Sequence, residues 1–258
     1  MKFLRFLSNN LEKYGLAEDL KVREIKGNIF GKYEILENTY FLSDIKFLPP
    51  TVPSKIIALG LNYFDHAKEL KMKIPEEPLI FLKPTSAIIG NKEKIIYPRM
   101  STRLDYEAEL GVIIKNRIKD VNQKEVYENI LGYTCFNDVT ARDLQQNDGQ
   151  WTRAKSFDTF APIGPYIVTD LEPNNLKIEL RKNGQVKQHS STKNMIFKID
   201  KIVSFVSQIM TLNPGDVIVT GTPPGVGELL LGDKVEVEIE GIGILENTVS
   251  LEKNEPIL

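Results

Sequence analysis

The chain has 258 residues, 41% hydrophobic and 26% charged, an ordinary globular balance with a sizeable core, long enough for one large domain or for one main domain with a small appendage. A net charge of −2 carries no basic excess and argues against a nucleic-acid binder, and no apolar run approaches the roughly 18 residues of a membrane helix. One cysteine, Cys135, excludes an intramolecular disulfide framework and suits a reducing compartment, so cytoplasm is the expected location.

In chain order, residues 1–7 are too short and too interrupted by Arg5 to read as a signal peptide. Short strands near 2–7 and 28–42 form an expected N-terminal β appendage, residues 1–50, closed by Pro49, Pro50 and Pro53. The main unit, 51–258, opens with a strand at 55–59, a short helix over 64–71 after Asn62, and strands at 79–83 and 106–114. Asn122 is placed to cap a short helix reaching Ile130, followed by a strand at 131–137. Thr140 is placed to cap another short helix, and a strand follows at 164–169. Asn183-Gly184 sits between alternating runs as a hairpin turn, since both residues tolerate positive φ. Asp200 is placed to cap a helix over 201–211 with Ile202, Val206, Ile209 and Met210 on one face. Strands at 216–220, 233–240 and 243–249 complete the chain, the last two joined through Gly241-Ile242-Gly243. No internal repeat is visible, and many strands with few short helices predict a β-rich α+β fold, a sandwich, roll or barrel.

The sharpest chemical feature is Asp105-Tyr106-Glu107-Ala108-Glu109-Leu110-Gly111-Val112. In one strand Glu107 and Glu109 point to the same face, and the apolar run after them carries the strand into the interior, where like charges need a counter-ion. A divalent cation resolves the conflict, with Asp138, at the end of the apolar run 132–136, as a third ligand; a solvated face beside Lys or Arg is the blander alternative. With only two histidines, His66 and His189, a metal here is expected to be a hard cation on carboxylates. His66 and Glu69 fall one helical turn apart, a base and its orienting carboxylate or a plain surface pair. Arg142 and Gln145 are similarly spaced and suit a carboxylate ligand or a solvated ion pair. Lys155, between small and aromatic residues, is either a buried cation or a snorkelling one. The turn at 220–227 lacks the Gly-Lys-Ser/Thr ending of a phosphate loop, so nucleotide binding there is rejected; a tight turn or an anion-lining loop remains.

Taken together these segments resemble the fumarylacetoacetate hydrolase family in its short form, from Lys55 to about Val249. The resemblance rests on G-x-N-Y-x-x-H-A-x-E (60–69), F-L-K-P (81–84), D-Y-E-A-E-L-G-V (105–112), N-D-V-T-A-R-D-L-Q (137–145), W-x-x-A-K-S-F-D (151–158) and T-G-T-P-x-G-V-G (220–227). It implies a mixed β-sandwich roll, a homodimer, and Mg²⁺ or Mn²⁺ on Glu107, Glu109 and Asp138. It also implies a catalytic His66–Glu69 pair on a lid helix, a site role for Lys155, and substrate contacts from Arg142, Gln145 and Thr222. Lys83 lies in a family motif without an assigned role, and His189 replaces the acidic or polar residue expected after Gln188. The implied substrate is a small 2-oxo acid, with no nucleic-acid or membrane partner. Hydrolytic cleavage of a C–C bond in acylpyruvate-like diketo acids is the favoured reaction. The alternatives are 2-hydroxyhepta-2,4-diene-1,7-dioate isomerisation, decarboxylation of 5-oxopent-3-ene-1,2,5-tricarboxylate or oxaloacetate, and a metal-free Schiff-base aldolase on Lys155 or Lys83. A non-catalytic binding module is the last alternative, and the full set of site residues weighs against it.

Overall fold

A computed structural model describes residues 1–251 and contains twenty strands and four α-helices among them. No described helix is long and apolar enough to cross a membrane. The largest sheet has twelve strands. From the middle to one edge it runs Ala161–Val168, Ile130–Asn137, Ala108–Ile114, Val217–Val219, Ile56–Leu59 and Ile80–Lys83, in that spatial order. Ile130–Asn137 and Ala108–Ile114 are buried along their whole length, which is why they read as apolar runs without alternation. A five-stranded sheet packs against this one, through contacts of Lys234–Ile239 with Ile130–Asn137 and of Gly243–Leu251 with Ala161–Val168. In Lys234–Ile239 every second residue is buried, the period-two signature of a sheet with one face on the core. The fold is thus the β-rich sandwich expected, with helices confined to short pieces at the margins.

The first fifty residues extend the large sheet. Lys2–Ser8 pairs with Ala161–Val168, then Leu11–Glu18, Lys21–Gly27 and Tyr33–Phe41 follow outward. Two of these strands were not foreseen. Leu11–Glu18 and Lys21–Gly27 are largely exposed or half-exposed, so they carry no clean alternation. Their turns were the better signal, since Asn9 and Asn10 both adopt positive φ between Ser8 and Leu11. The hairpin at Asn183-Gly184 forms as expected, at φ 52° and 77°.

Three capping expectations need correction. The helix expected at 201–211 is Ile199–Ile209, with Lys198 at the N-cap and Asp200 inside the first turn, where its charge faces the positive end of the helix dipole. Residues after Asn122 form two separate 3₁₀ turns, Gln123–Glu125 and Tyr127–Asn129, and Asn122 makes no side-chain cap. Thr140 lies in a two-residue strand and donates to Asp138 O, so Ala141 takes the N-cap of Arg142–Asp148. The helix after Asn62 is Phe64–Leu70, ended by Lys71 in the left-handed region.

Candidate active site

The strand expected at 106–114 is two strands. Leu104–Tyr106 belongs to a small three-stranded sheet and Ala108–Ile114 to the large one, with Glu107 at the break between them. The break does not separate the carboxylates. One oxygen each from Glu107, Glu109 and Asp138 lie within 4.8 Å of one another, and all three residues are buried. Asp138 is brought there by the end of Ile130–Asn137, whose register sets Asn137 opposite Ala108. The Asn137 side chain accepts the Glu107 N–H at 2.9 Å and Asp138 N–H donates to Glu107 O at 2.8 Å, which locks the two carboxylate-bearing segments together.

Cations surround two of the three carboxylates. Lys155 Nζ donates to Glu107 Oε2 at 2.9 Å and to Asp138 Oδ2 at 2.6 Å, while Lys83 Nζ donates to Asp138 Oδ1 at 2.5 Å. Both lysines are buried, so Lys155 does not snorkel, and Lys83 acquires a definite place as the second cation on Asp138. Arg142 donates to Glu107 Oε1, to Asp105 at 2.8 Å and to Gln145 Oε1 at 2.5 Å. Burial pushes the Glu107 carboxyl up, but Lys155 and Arg142 outweigh it and hold the group well below the usual carboxylate range. Burial lowers the affinity of Lys155 for its proton, yet Asp138 and Glu107 together raise it above the ordinary lysine value.

Glu109 is different. Its carboxylate accepts one hydrogen bond, from Gly221 N at 2.7 Å, and among the described residues no cation lies within ion-pair distance. Burial, then Asp138 and Glu107, push it well above the usual range. Gly221 reaches this carboxylate from a backbone at φ +86°, and a Cβ there would sit 2.8 Å from Asn62 Cβ. A buried carboxylate without a counter-ion, beside two others, is a donor set that fits a hard divalent cation of the Mg²⁺ or Mn²⁺ kind.

These groups border a cavity of about 310 Å³. His66, Glu107, Glu109, Arg142, Gln145, Lys155 and Thr222 line it, whereas Asp138 and Lys83 do not, and Glu69 lines an adjoining recess. His66 sits on Phe64–Leu70 with Nδ1 2.8 Å from Glu69 Oε2, and the other Glu69 oxygen accepts Gly225 N–H at 3.2 Å. Apolar side chains complete the lining: Leu59, Leu61, Met72, Phe81 and Trp151. Phe81 meets Trp151 edge-on at 5.2 Å and Lys155 Nζ stands 5.2 Å from the Phe81 ring. His189 lies outside, on an exposed face 3.3 Å from Glu179.

Sequence reasoning missed two residues. Asp105, almost fully buried, bridges Arg103 and Arg142. Gln188, fully buried, accepts Ala108 N–H and donates to Thr222 Oγ1 and Pro223 O. Asp105 heads the D-Y-E-A-E-L-G-V segment, residues 105–112. Gln188 gave no signal, because a polar residue in an amphipathic strand reads as solvent-facing.

A family model described as fumarylacetoacetate (FAA) hydrolase C-terminal matches residues 55–250, and one described as Rv2993c-like, N-terminal matches residues 1–50. An uncharacterized protein of Methanocaldococcus jannaschii is 59% identical over 242 residues, 94% of this chain and 96% of that protein. A mitochondrial oxaloacetate tautomerase of Bos taurus is 44% identical over 220 residues, 80% of this chain and 70% of its own. The crystal structure of 2-hydroxyhepta-2,4-diene-1,7-dioate isomerase from Mycobacterium marinum superposes with a TM-score of 0.92 at 41% identity, covering 98% of this chain and 100% of that one. With the family match spanning most of its length and relatives this close, the chain belongs to the fumarylacetoacetate hydrolase family and is an enzyme of it.

Proposed function

We propose that the chain moves a proton on a small 2-oxo acid, interconverting keto and enol forms or shifting a conjugated double bond, with Mg²⁺ or Mn²⁺ held by Glu107, Glu109 and Asp138. The observation that carries this is one cavity lined both by His66 and by Glu107 and Glu109, two of the three clustered carboxylates. The bound cation would supply Lewis acidity toward the 2-oxo group and its neighbouring carboxylate.

Glu69 accepts at His66 Nδ1, which leaves Nε2 to take and return the proton on carbon. Arg142 has spent its Nε and one N–H of each Nη on Asp105, Gln145 and Glu107, so two N–H groups remain for a substrate carboxylate. Gln145 has given its oxygen to Arg142 and offers its amide N–H groups beside them. Lys155 keeps a buried positive charge next to the position where an enolate oxygen develops. The apolar wall excludes water from that charge.

Relatives named as a tautomerase and an isomerase move the weight from C–C hydrolysis to proton transfer. Hydrolysis of an acylpyruvate stands as the second reading, favoured by the apolar wall of Leu61, Met72 and Trp151, which offers room for an acyl substituent larger than that of oxaloacetate. Assembly as a homodimer belongs to the same proposal and is checked by light scattering. The test is a panel of oxaloacetate, a 2-hydroxydienoate and acetylpyruvate, followed by ultraviolet absorbance and proton NMR with Mg²⁺, Mn²⁺ or EDTA. Metal-dependent enol–keto exchange that is lost in His66→Ala is the expected result. Cleavage of acetylpyruvate without exchange on the others selects hydrolysis, and full activity in EDTA overturns both.

A further inference from the structure

Between Glu107 and Glu109, the backbone of Ala108 is hydrogen-bonded by side chains where a neighbouring strand would ordinarily serve. Two residues further on, Leu110 O accepts the backbone N–H of Thr220 at 3.2 Å. At Ala108 the N–H donates to Gln188 Oε1 at 2.9 Å, and the carbonyl accepts from Thr222 Oγ1 at 2.9 Å. Gln188 Nε2 donates to Pro223 O and to Thr222 Oγ1, both at 2.8 Å. The amide of Gln188 has one possible orientation, because its oxygen faces a group that only donates and its nitrogen a carbonyl that only accepts.

This arrangement decides what Thr222 can offer to the cavity it lines. A hydroxyl has one proton and two lone pairs. The proton is committed to Ala108 and one lone pair to Gln188, so a single lone pair remains. To donate into the cavity, Thr222 would have to abandon a buried carbonyl, at a cost that reads as roughly tenfold in binding.

We infer that the remaining lone pair of Thr222 Oγ1 is turned to the cavity, so that the cavity recognises there a ligand group that donates a hydrogen bond and disfavours a carbonyl or carboxylate oxygen. Gln188 is the positioning residue that holds this polarity. The inference rests on the 2-oxo acid reading, and within it the form held against Thr222 is the enol, through its hydroxyl, and not the ketone.

Oxamate and oxalate test this, being near-isosteric two-carbon anions of which only oxamate carries N–H donors. Calorimetric titration of the full chain with Mg²⁺ present is expected to show Thr222→Val weakening oxamate about tenfold while oxalate holds or tightens. Thr222→Ser restores oxamate, and Thr222→Ala supplies the same comparison where the valine variant melts early. Gln188→Met narrows the oxamate preference, whereas a purely structural role would lower the melting temperature and both affinities together. Equal losses for the two anions in Thr222→Val, or loss of oxalate alone, overturn the donor rule and leave the 2-oxo acid reading standing. Binding of neither anion to the unmodified protein overturns that reading and the rule with it.

Discussion

Glu109 concentrates the electrostatics of the site in one residue. Glu107 and Asp138 are already matched by lysine and arginine, so the uncompensated charge in the cluster belongs to Glu109. Glu109→Gln keeps the shape and the acceptor for Gly221 N–H while removing that charge. Without metal, the variant is expected to be more stable than the parent by roughly 1–3 kcal/mol, the size of an unrelieved buried polar group. Adding Mg²⁺ at a hundredfold excess over its dissociation constant stabilises the parent by about 2.7 kcal/mol and leaves the variant unmoved. Urea unfolding with and without Mg²⁺ measures both, and equal Mg²⁺ stabilisation of the two proteins would remove Glu109 from the ligand set. Glu107, Glu109 and Asp138 were legible in the sequence because acidic residues interrupting apolar strands are conspicuous. Gln188 was not, because its meaning depends on which backbone group it meets across eighty residues of chain.

At the scale of the element, the short helix Arg142–Asp148 (α2 if Phe64–Leu70 is α1) carries both Arg142 and Gln145, and its orientation is secured by Asp143. The Asp143 carboxylate accepts from Ser101 Oγ at 2.6 Å and from Thr102 N and Oγ1 at 2.9 and 3.0 Å. Burial pushes this carboxyl up, but those hydrogen bonds outweigh it and bring it down to about 2. A folded-state value below the unfolded one near 3.8 means the stabilisation is complete above pH 4 and drains away as pH falls toward 2. Asp143→Asn is therefore expected to be less stable at pH 7 and to lose part of its parent's acid sensitivity between pH 4 and 2, as read by melting temperature against pH. A parallel pH dependence in both proteins would sink this account. That α2 exists was readable from the spacing of Arg142 and Gln145. Its true anchor was not, since Thr140 offers the better local cap and loses because its hydroxyl is drawn to Asp138 O.

At the scale of the whole molecule, the first fifty residues are joined to the rest by more than a strand pairing. Phe3, Leu16, Ile25 and Ile29 belong to the same continuous core as Ala108, Cys135 and Val219, while Leu4, Phe6 and Val22 form a smaller cluster of their own. This was invisible in the sequence, where Pro49-Pro50 reads as a boundary and long-range pairing leaves no local mark. Removing residues 1–50 strips four side chains from the main core, at about 1.5–3 kcal/mol each. The loss, roughly 6–12 kcal/mol, is comparable with the whole stability of a typical domain, about 5–15 kcal/mol. It also bares Ala161–Val168 where Lys2–Ser8 had paired with it, and a newly exposed strand edge invites association between chains. A chain beginning at residue 51 is thus expected to aggregate or to lack a cooperative melt, although every residue assigned to the site is still present. A monodisperse truncated protein that melts as the parent does would show instead that residues 51–251 close their core alone, and would confine the N-terminal strands to a role outside stability.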